Sequence, residues 1–235
     1  MSDATSRSGP GGAKPKGALV WDLPTRLFHW LLAAAVIGAW ATGEGPRQIH
    51  VWCGYAIIVL IVFRLIWGVI GGRHARFTDF VRGPKAVALH LRELRDAKTA
   101  PPEAGHNAAG GWMVLLLLGL IGLQVTLGLF TDDDILFVGP LGELVSYDTR
   151  LQITAIHTVL GNILPWVIGL HVAAVLLYWI ARRQNLIRPM ITGYKPWVSP
   201  VEVKPLPPRA GSLPRAVLAL AVGIAVVVAI MVWGG

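Results

Sequence analysis

The stretch LQITAIHTVLGNILPWVIGLHVAAVLLYWI, residues 151–180, decides the fold. It is longer than the ~20 apolar residues a helix needs to cross a hydrocarbon core, and it carries two histidines, His157 and His171. Fourteen positions separate them. At ~100° and ~1.5 Å per residue, both imidazoles fall on one stripe, ~40° apart in angle and ~21 Å apart along the axis. In a core ~30 Å thick, one lies a short way below each face. Ionisable side chains at that depth are costly and mark function. Two on one stripe at opposite depths suit axial ligands for two stacked cofactors; histidines hydrogen-bonded to neighbouring helices are the alternative.

The rest of the chain agrees with a membrane setting. Of its 235 residues 54% are apolar and 14% charged, and the apolar runs leave no room for a sizeable soluble core. One cysteine, Cys53, rules out a disulfide framework, and without a CxxCH motif covalent c-type haem attachment is excluded. A net charge of +8 would suggest nucleic acid in a soluble protein. Here the basic residues flank apolar spans, which is the pattern of topology anchors.

Read in order, residues 1–19 form a flexible basic tail rich in Gly, Pro, Ser and Lys. The first span runs from about Pro24 to Thr42, capped by Asp22 or Thr25, with Pro24 in its first turn. A cleavable signal peptide ending at Ala39-Trp40-Ala41 is the competing reading, against which His29 stands inside the apolar run. The second span, about Arg47 to Ile70, holds His50 at its start and Arg64 near its end. A basic loop from Gly71 to Gly111 follows. Within it PKAVALHLRELRDA places Val87, Leu91 and Leu94 on one face of a helix lying on the membrane surface. The third span is about Gly111 to Phe130, and an acidic connection with Asp132, Asp133, Asp134, Glu143 and Asp148 leads into the fourth, residues 151–180. A Pro-rich linker, 196–212, precedes a C-terminal anchor helix in 213–235.

Loop charge orients the spans. The tail, the basic loop and the Arg182–Arg215 segment belong on the cytoplasmic side, and the acidic loop and GEGPR turn on the periplasmic side. The N-terminus is then inside and the C-terminus outside. Depth follows from direction of travel, and the histidines sort into two pairs, His50 with His157 near the outer face and His29 with His171 near the inner one. A zinc or copper cage needs its ligands at one depth. Two imidazoles at each of two levels suit iron in a planar macrocycle, hence two haems b.

Neighbouring residues fit this reading in part. Gly54 and Gly161 lie one turn after His50 and His157, where a missing side chain admits a porphyrin edge; glycines are also common in membrane helices. Arg64 lies on the His50 stripe at the inner level, as a partner for a haem propionate or an internal ion pair. For Arg26, three residues before His29, propionate pairing and interfacial snorkelling both stand. Pro165, between the two histidines of the fourth span, should kink it and alter their offset. His74 and His90 read as solvated loop residues. His106, at the inner level before the third span, reads as a residue beside the haem or quinone rather than an iron ligand. Trp30, Trp52, Trp112 and Trp179 fall near span ends, as an interfacial belt does, and Cys53 reads as a buried structural thiol.

The segments WDLPTRLFHW (21–30), IHVWCGY (49–55), FRLIWG (63–68), ARFTDFVRGP (75–84), GHNAAGG (105–111) and IHTVLGNILPWVIGLHVAAV (156–175) together resemble the bacterial cytochrome b561 family, which includes the b-type cytochrome subunit of Ni/Fe-hydrogenases. The likeness covers about Val20 to Thr192. It implies an all-α integral membrane fold, a four-helix dihaem bundle in 20–195, to which this chain adds a fifth transmembrane helix. The family's ligand pattern lands on His29, His50, His157 and His171. Ala108 stands where the family's loop motif often has proline. The resemblance implies electron transfer across the inner membrane between a periplasmic redox partner, such as a c-type cytochrome, dehydrogenase or hydrogenase, and the quinone pool. A superoxide:quinone oxidoreductase is the alternative, for which Arg47 and Arg150 offer cations near the outer face and against which the Asp132–Asp134 run counts. A non-redox haem or metal carrier is a third reading, and the chain lacks the internal repeat expected of an alternating-access transporter.

Overall fold

The computed structural model describes residues 18–93, 105–135, 137–195 and 212–234. Five of its helices are long and apolar enough to cross a membrane: α1 (Leu23–Ala41), α2 (Arg47–Ile70), α5 (Ala108–Gly128), α6 (Tyr147–Arg182) and α8 (Leu213–Trp233). Between them lie α3 (Phe77–Phe80), α4 (Pro84–Glu93) and α7 (Ile187–Thr192). The protein is a multi-pass membrane helical bundle. Most of its spans are ~30–36 Å long, matching a hydrocarbon core, whereas the 36 residues of α6 reach ~54 Å and overshoot it. α6 stays helical through Pro165.

Local chemistry sets the ends. Asp22 caps α1 by accepting from the Thr25 amide at 2.9 Å, with Pro24 in the first turn. Asn107 caps α5 through the Gly110 amide, and Ser146 caps α6 through that of Thr149. The chain before α1 is not all loose: Ala18–Leu19 pairs antiparallel with Tyr194–Lys195, which brings the start of the first span beside the end of α7. The left-handed Gly193 (φ 87°) closes α7 there, and its carbonyl accepts from the Val20 amide at 2.8 Å.

Packing centres on α2 rather than on α6. Ile57, Ile58, Leu60, Ile61, Phe63, Arg64, Trp67 and Gly68 are all buried, so α2 is covered over most of its second half, with Leu65 and Val69 left exposed. Trp67 is fully enclosed, stacked on Phe63 and donating to the Thr25 hydroxyl at 3.3 Å. α6 buries only Leu160 and Leu164 outright. Its half-buried positions, which include His157, Gly161, His171 and Tyr178, recur every three to four residues as one stripe.

α8 is part of this bundle. Ala216, Ala219, Gly223 and Val227 make a stripe of small, buried residues along it. A Cβ on Gly223 would come within 2.6 Å of the Val59 carbonyl of α2, so the two backbones are nearly in contact, as glycine at a membrane interface permits. At its far end Gly234 lies against the Pro140 carbonyl, which places the end of α8 beside the acidic connection.

Two local expectations change. His90 is not solvated: α4 turns it inward, where its Nε2 meets the Tyr178 hydroxyl at 2.6 Å, while Leu91 faces out. Leu94, placed on the apolar face of that helix, lies outside the described residues. His74 is half-buried, with burial and the neighbouring Arg73 charge lowering its pKa from the ordinary value.

Candidate functional site

α1, α2 and α6 carry His29, His50, His157 and His171 to two ends of the bundle. At the end that holds the acidic connection, His50 of α2 and His157 of α6 face each other with ring centres 6.2 Å apart and planes at 82°. Each ring is oriented by a backbone carbonyl on a third element. His50 Nδ1 donates to Ala39 of α1 at 2.8 Å, and His157 Nδ1 to Gln124 of α5 at 3.0 Å. With both Nδ1 positions satisfied, Nε2 is the nitrogen of each ring left for a metal, His157 Nε2 exchanging for it a contact with the Gln124 amide, and this is the usual outer arrangement around metal-binding imidazoles. Two metal–nitrogen bonds of ~2.0 Å, with half an imidazole beyond each, span ~6 Å. The separation between the two rings therefore fits one metal held between them.

Gln124 is a participant that the sequence reading passed over. Its amide nitrogen donates to the His157 carbonyl at 3.0 Å and lies 3.3 Å from His157 Nε2. It is the sole strongly polar side chain in the body of α5, and an amide at membrane depth was the available signal. It also changes the meaning of Gly161. A Cβ there would approach Gln124 Nε2 to 3.1 Å, so Gly161 makes room for the amide, whereas a Cβ on Gly54 would meet nothing within 4 Å.

At the opposite end, His29 and His171 are close enough for their charges to interact, and both act on His106. His29 Nδ1 is buried without a hydrogen-bond partner, and its ring stands edge-on to Trp30 at 5.0 Å. Arg64 is 3% exposed. Its guanidinium lies 4.7 Å from the centre of Phe77 and near Phe28 and Phe80, with the Asp22 charge in reach and one Nη unpartnered. His106 is held between Trp21 and Phe80, 4.5 and 4.6 Å between ring centres. Burial, and next the Arg64 charge, push its pKa down to about 3, so it is neutral at physiological pH. Arg26 donates to the Ile191 carbonyl at the end of α7, and Trp30 to that of Met190, so Arg26 is tied to α7 while its Nε stays buried and unpaired. Beneath these groups Tyr178 joins α4 to α5, meeting His90 and accepting from Asn107 at 2.8 Å.

The acidic connection is folded inward on itself. Asp132 is buried and pairs with Arg150 at 3.0 Å; Arg150 also holds Glu143 at 2.6 Å, and Arg47 pairs with Asp133. The two arginines nearest that mouth are thus neutralised by the run of acids beside them. Among the described residues no three His, Cys, Asp or Glu side chains gather into a metal cage; His50 and His157 meet as a pair of nitrogen donors. Paired imidazoles, with a third element fixing each ring, suit a planar macrocycle ligated on two faces.

Comparison with known proteins agrees with this donor set. The profile of prokaryotic cytochrome b561 matches residues 20–193. A Yersinia pestis protein named probable superoxide oxidase CybB is 29% identical over 180 residues, covering 70% of this chain and 91% of the relative. No solved structure matches the chain significantly. With most of its length matched, including all four spans that carry or flank the paired histidines, the chain belongs to the prokaryotic cytochrome b561 family of membrane cytochromes that bind b-type haem.

Proposed function

We propose that the protein carries electrons across the bacterial inner membrane between a periplasmic redox protein and the quinone pool, through two haems b. His50 and His157 would hold one near the periplasmic face, and His29 and His171 the other near the cytoplasmic face. The facing of His50 and His157 at 6.2 Å carries the reading. A bis-histidine haem b supplies a one-electron couple whose ligands change little on reduction. Ala39 and Gln124 keep the outer imidazoles in the tautomer that presents Nε2. Arg64 and Arg26, each with a buried guanidinium nitrogen unpaired, offer propionate partners at the inner level. His106, neutral and enclosed by aromatic rings, lines the quinone side. The basic loops, on the positive-inside rule, put the N-terminus in the cytoplasm and the C-terminus in the periplasm.

Superoxide oxidation coupled to quinone reduction is the second reading, favoured by the name of the Yersinia relative. The ion pairing of Arg47 and Arg150 weighs against it, since an anionic substrate needs an uncompensated cationic mouth. Stopped-flow spectroscopy of the purified cytochrome separates the two. On the first reading quinone oxidises the pre-reduced haems and a pulse of superoxide leaves oxidised haems oxidised. Rapid haem reduction by superoxide, followed by stoichiometric quinol formation, would establish the second. Failure of quinone to oxidise any reduced haem, with superoxide equally inert, would dismiss both.

A further inference from the structure

A narrow apolar groove runs along the membrane-spanning part of the bundle, and α8 forms one wall of it. It has a volume of about 600 Å³ and is lined from α2 by residues such as Ile58 and Leu65, from α5 and its C-cap by residues spaced between Leu115 and Leu129, Gly119 among them, and from α8 by Val226 and Ile230. The α5 residues alone extend over ~21 Å, leaving a mean cross-section of ~30 Å², the girth of a single branched hydrocarbon chain. The one hydroxyl in its lining, Thr126, is already donating to the Gly122 carbonyl at 2.8 Å. Nothing in the groove recognises a polar group.

One end is different. Phe77 lines the groove, and its ring also lies 4.7 Å from the Arg64 guanidinium. Beyond it, Phe80 leads to His106. Arg64 Nη1 and His106 Nδ1 are both buried without a hydrogen-bond partner. The groove therefore ends at the Phe77 ring, with two unpaired nitrogens beyond it that do not themselves line the groove, an apolar channel leading towards a polar cluster as the outline of an amphiphile with a polar head and a long tail requires.

We propose that this groove binds the polyprenyl tail of the quinone, with α8 supplying the wall that holds it. The inference rests on the quinone reading above. A phospholipid acyl chain fits less well. Arg64 lies six residues inside the end of α2, ~9 Å below it, deeper than the interface where a phospholipid keeps its phosphate. A neutral quinone head can reach that depth. The proposal also gives the fifth helix a role: without Val226 and Ile230 the tail would face bulk lipid on that side.

Gly119 makes the test clean. It lines the groove, and a Cβ built on it meets nothing within 4 Å, so Gly119→Leu adds bulk at the channel wall with open room for its first carbon. Leucine also favours the helix over glycine. Leu116→Phe, on an exposed part of α5 outside the lining, is the control. The full chain in nanodiscs is assayed with ubiquinone and menaquinone, each with its long tail and as the tail-less head group, and quinone and lipid retained on purification are measured by mass spectrometry. Gly119→Leu should raise KM for the long-tailed quinone by about tenfold or more, the scale on which small changes in an apolar pocket act. It should leave the tail-less quinone and the haem spectrum unchanged and strip the retained quinone, while Leu116→Phe does none of this. Equal effects on both tail lengths, or none on either, would overturn the tail site. So would retained phospholipid lost from Gly119→Leu with the quinone KM unmoved. Absence of turnover with all four quinones would sink the quinone reading itself, and the tail site with it.

Discussion

Histidine replacement tests the pairing most directly, and the decisive quantity is the double variant. On the proposed ligation His50 and His157 share one iron, because their rings face at 6.2 Å. His50→Ala should remove half the haem measured by pyridine haemochrome, and so should His157→Ala. Combining them should remove no more, since the second change acts on a site already lost. His50→Ala with His29→Ala should remove nearly all of it. The size of each single step follows from the supports. Changing a residue that only orients a ligand typically costs ~10–100-fold in metal affinity, about 1.4–2.8 kcal/mol. Removing the ligand itself, while its Ala39 carbonyl partner is left unpaired, must exceed that, so the site should be empty rather than weakened. Non-additivity of this form separates two sites from one, as a double-mutant cycle does for coupled residues. Loss of all haem from His50→Ala/His157→Ala, with half retained by His50→Ala/His29→Ala, would refute the pairing.

Other outcomes follow from the ends of the bundle. Arg150→Ala should destabilise the protein by ~3–5 kcal/mol, because it strands the buried Asp132 carboxylate, and Arg47→Ala by only ~0–1 kcal/mol, because its pair with Asp133 is about half exposed on the arginine side. Thermal unfolding in detergent measures both, and equal effects would contradict the burial argument. His106 binds a proton more readily unfolded, near pH 6.5, than folded, near pH 3. Its contribution is therefore complete above pH 6.5 and is lost as pH falls through that value towards 3, where the loss levels off. His106→Phe should flatten the stability–pH curve over that window, and an unchanged acid limb would show that another group is responsible.

The spans were legible because membrane depth is a simple constraint. Apolar runs of the right length had to be helices, and α2 and α8 begin and end close to where the residues alone place them. The shared stripe of His157 and His171 was legible for the same reason, since helical periodicity alone relates them. What escaped was lateral packing. Sequence spacing says nothing of which helix sits at the centre, so α6 looked dominant although α2 takes the burial. Nor does it reveal where a loop helix turns its polar face. In the loop segment that holds α4, Val87 and Leu91 suggested one apolar side, but docking is settled by the hydrogen bond of His90 to Tyr178, 88 positions away. The acids of residues 132–134 read as a negative run at the outer face, counting against an anionic substrate. Arg47 and Arg150 instead take two of them inward, a pairing no local pattern encodes.

The two ends of the bundle are also electrostatically unequal, and on the proposed ligation this sets a direction. At the His50 end both imidazoles give their Nδ1 protons to backbone carbonyls, which makes them more basic ligands, and the nearby arginines are offset by Asp132, Asp133 and Glu143. More basic ligands with no net cation favour the oxidised iron. At the His29 end His29 Nδ1 is unpartnered, and Arg64, with the Asp22 charge in reach, places a buried guanidinium in the same cluster. In a medium of low dielectric such a cation acts strongly and favours the added electron. The outer centre should therefore have the lower potential, and electrons should run downhill from the periplasmic side towards the quinone. A redox titration of the wild type should resolve two steps, and His50→Ala should delete the lower one. Arg64→Met should lower the upper step and leave the other in place. If His50→Ala removed the upper step instead, the inequality of the two ends would run the opposite way and the direction of flow with it.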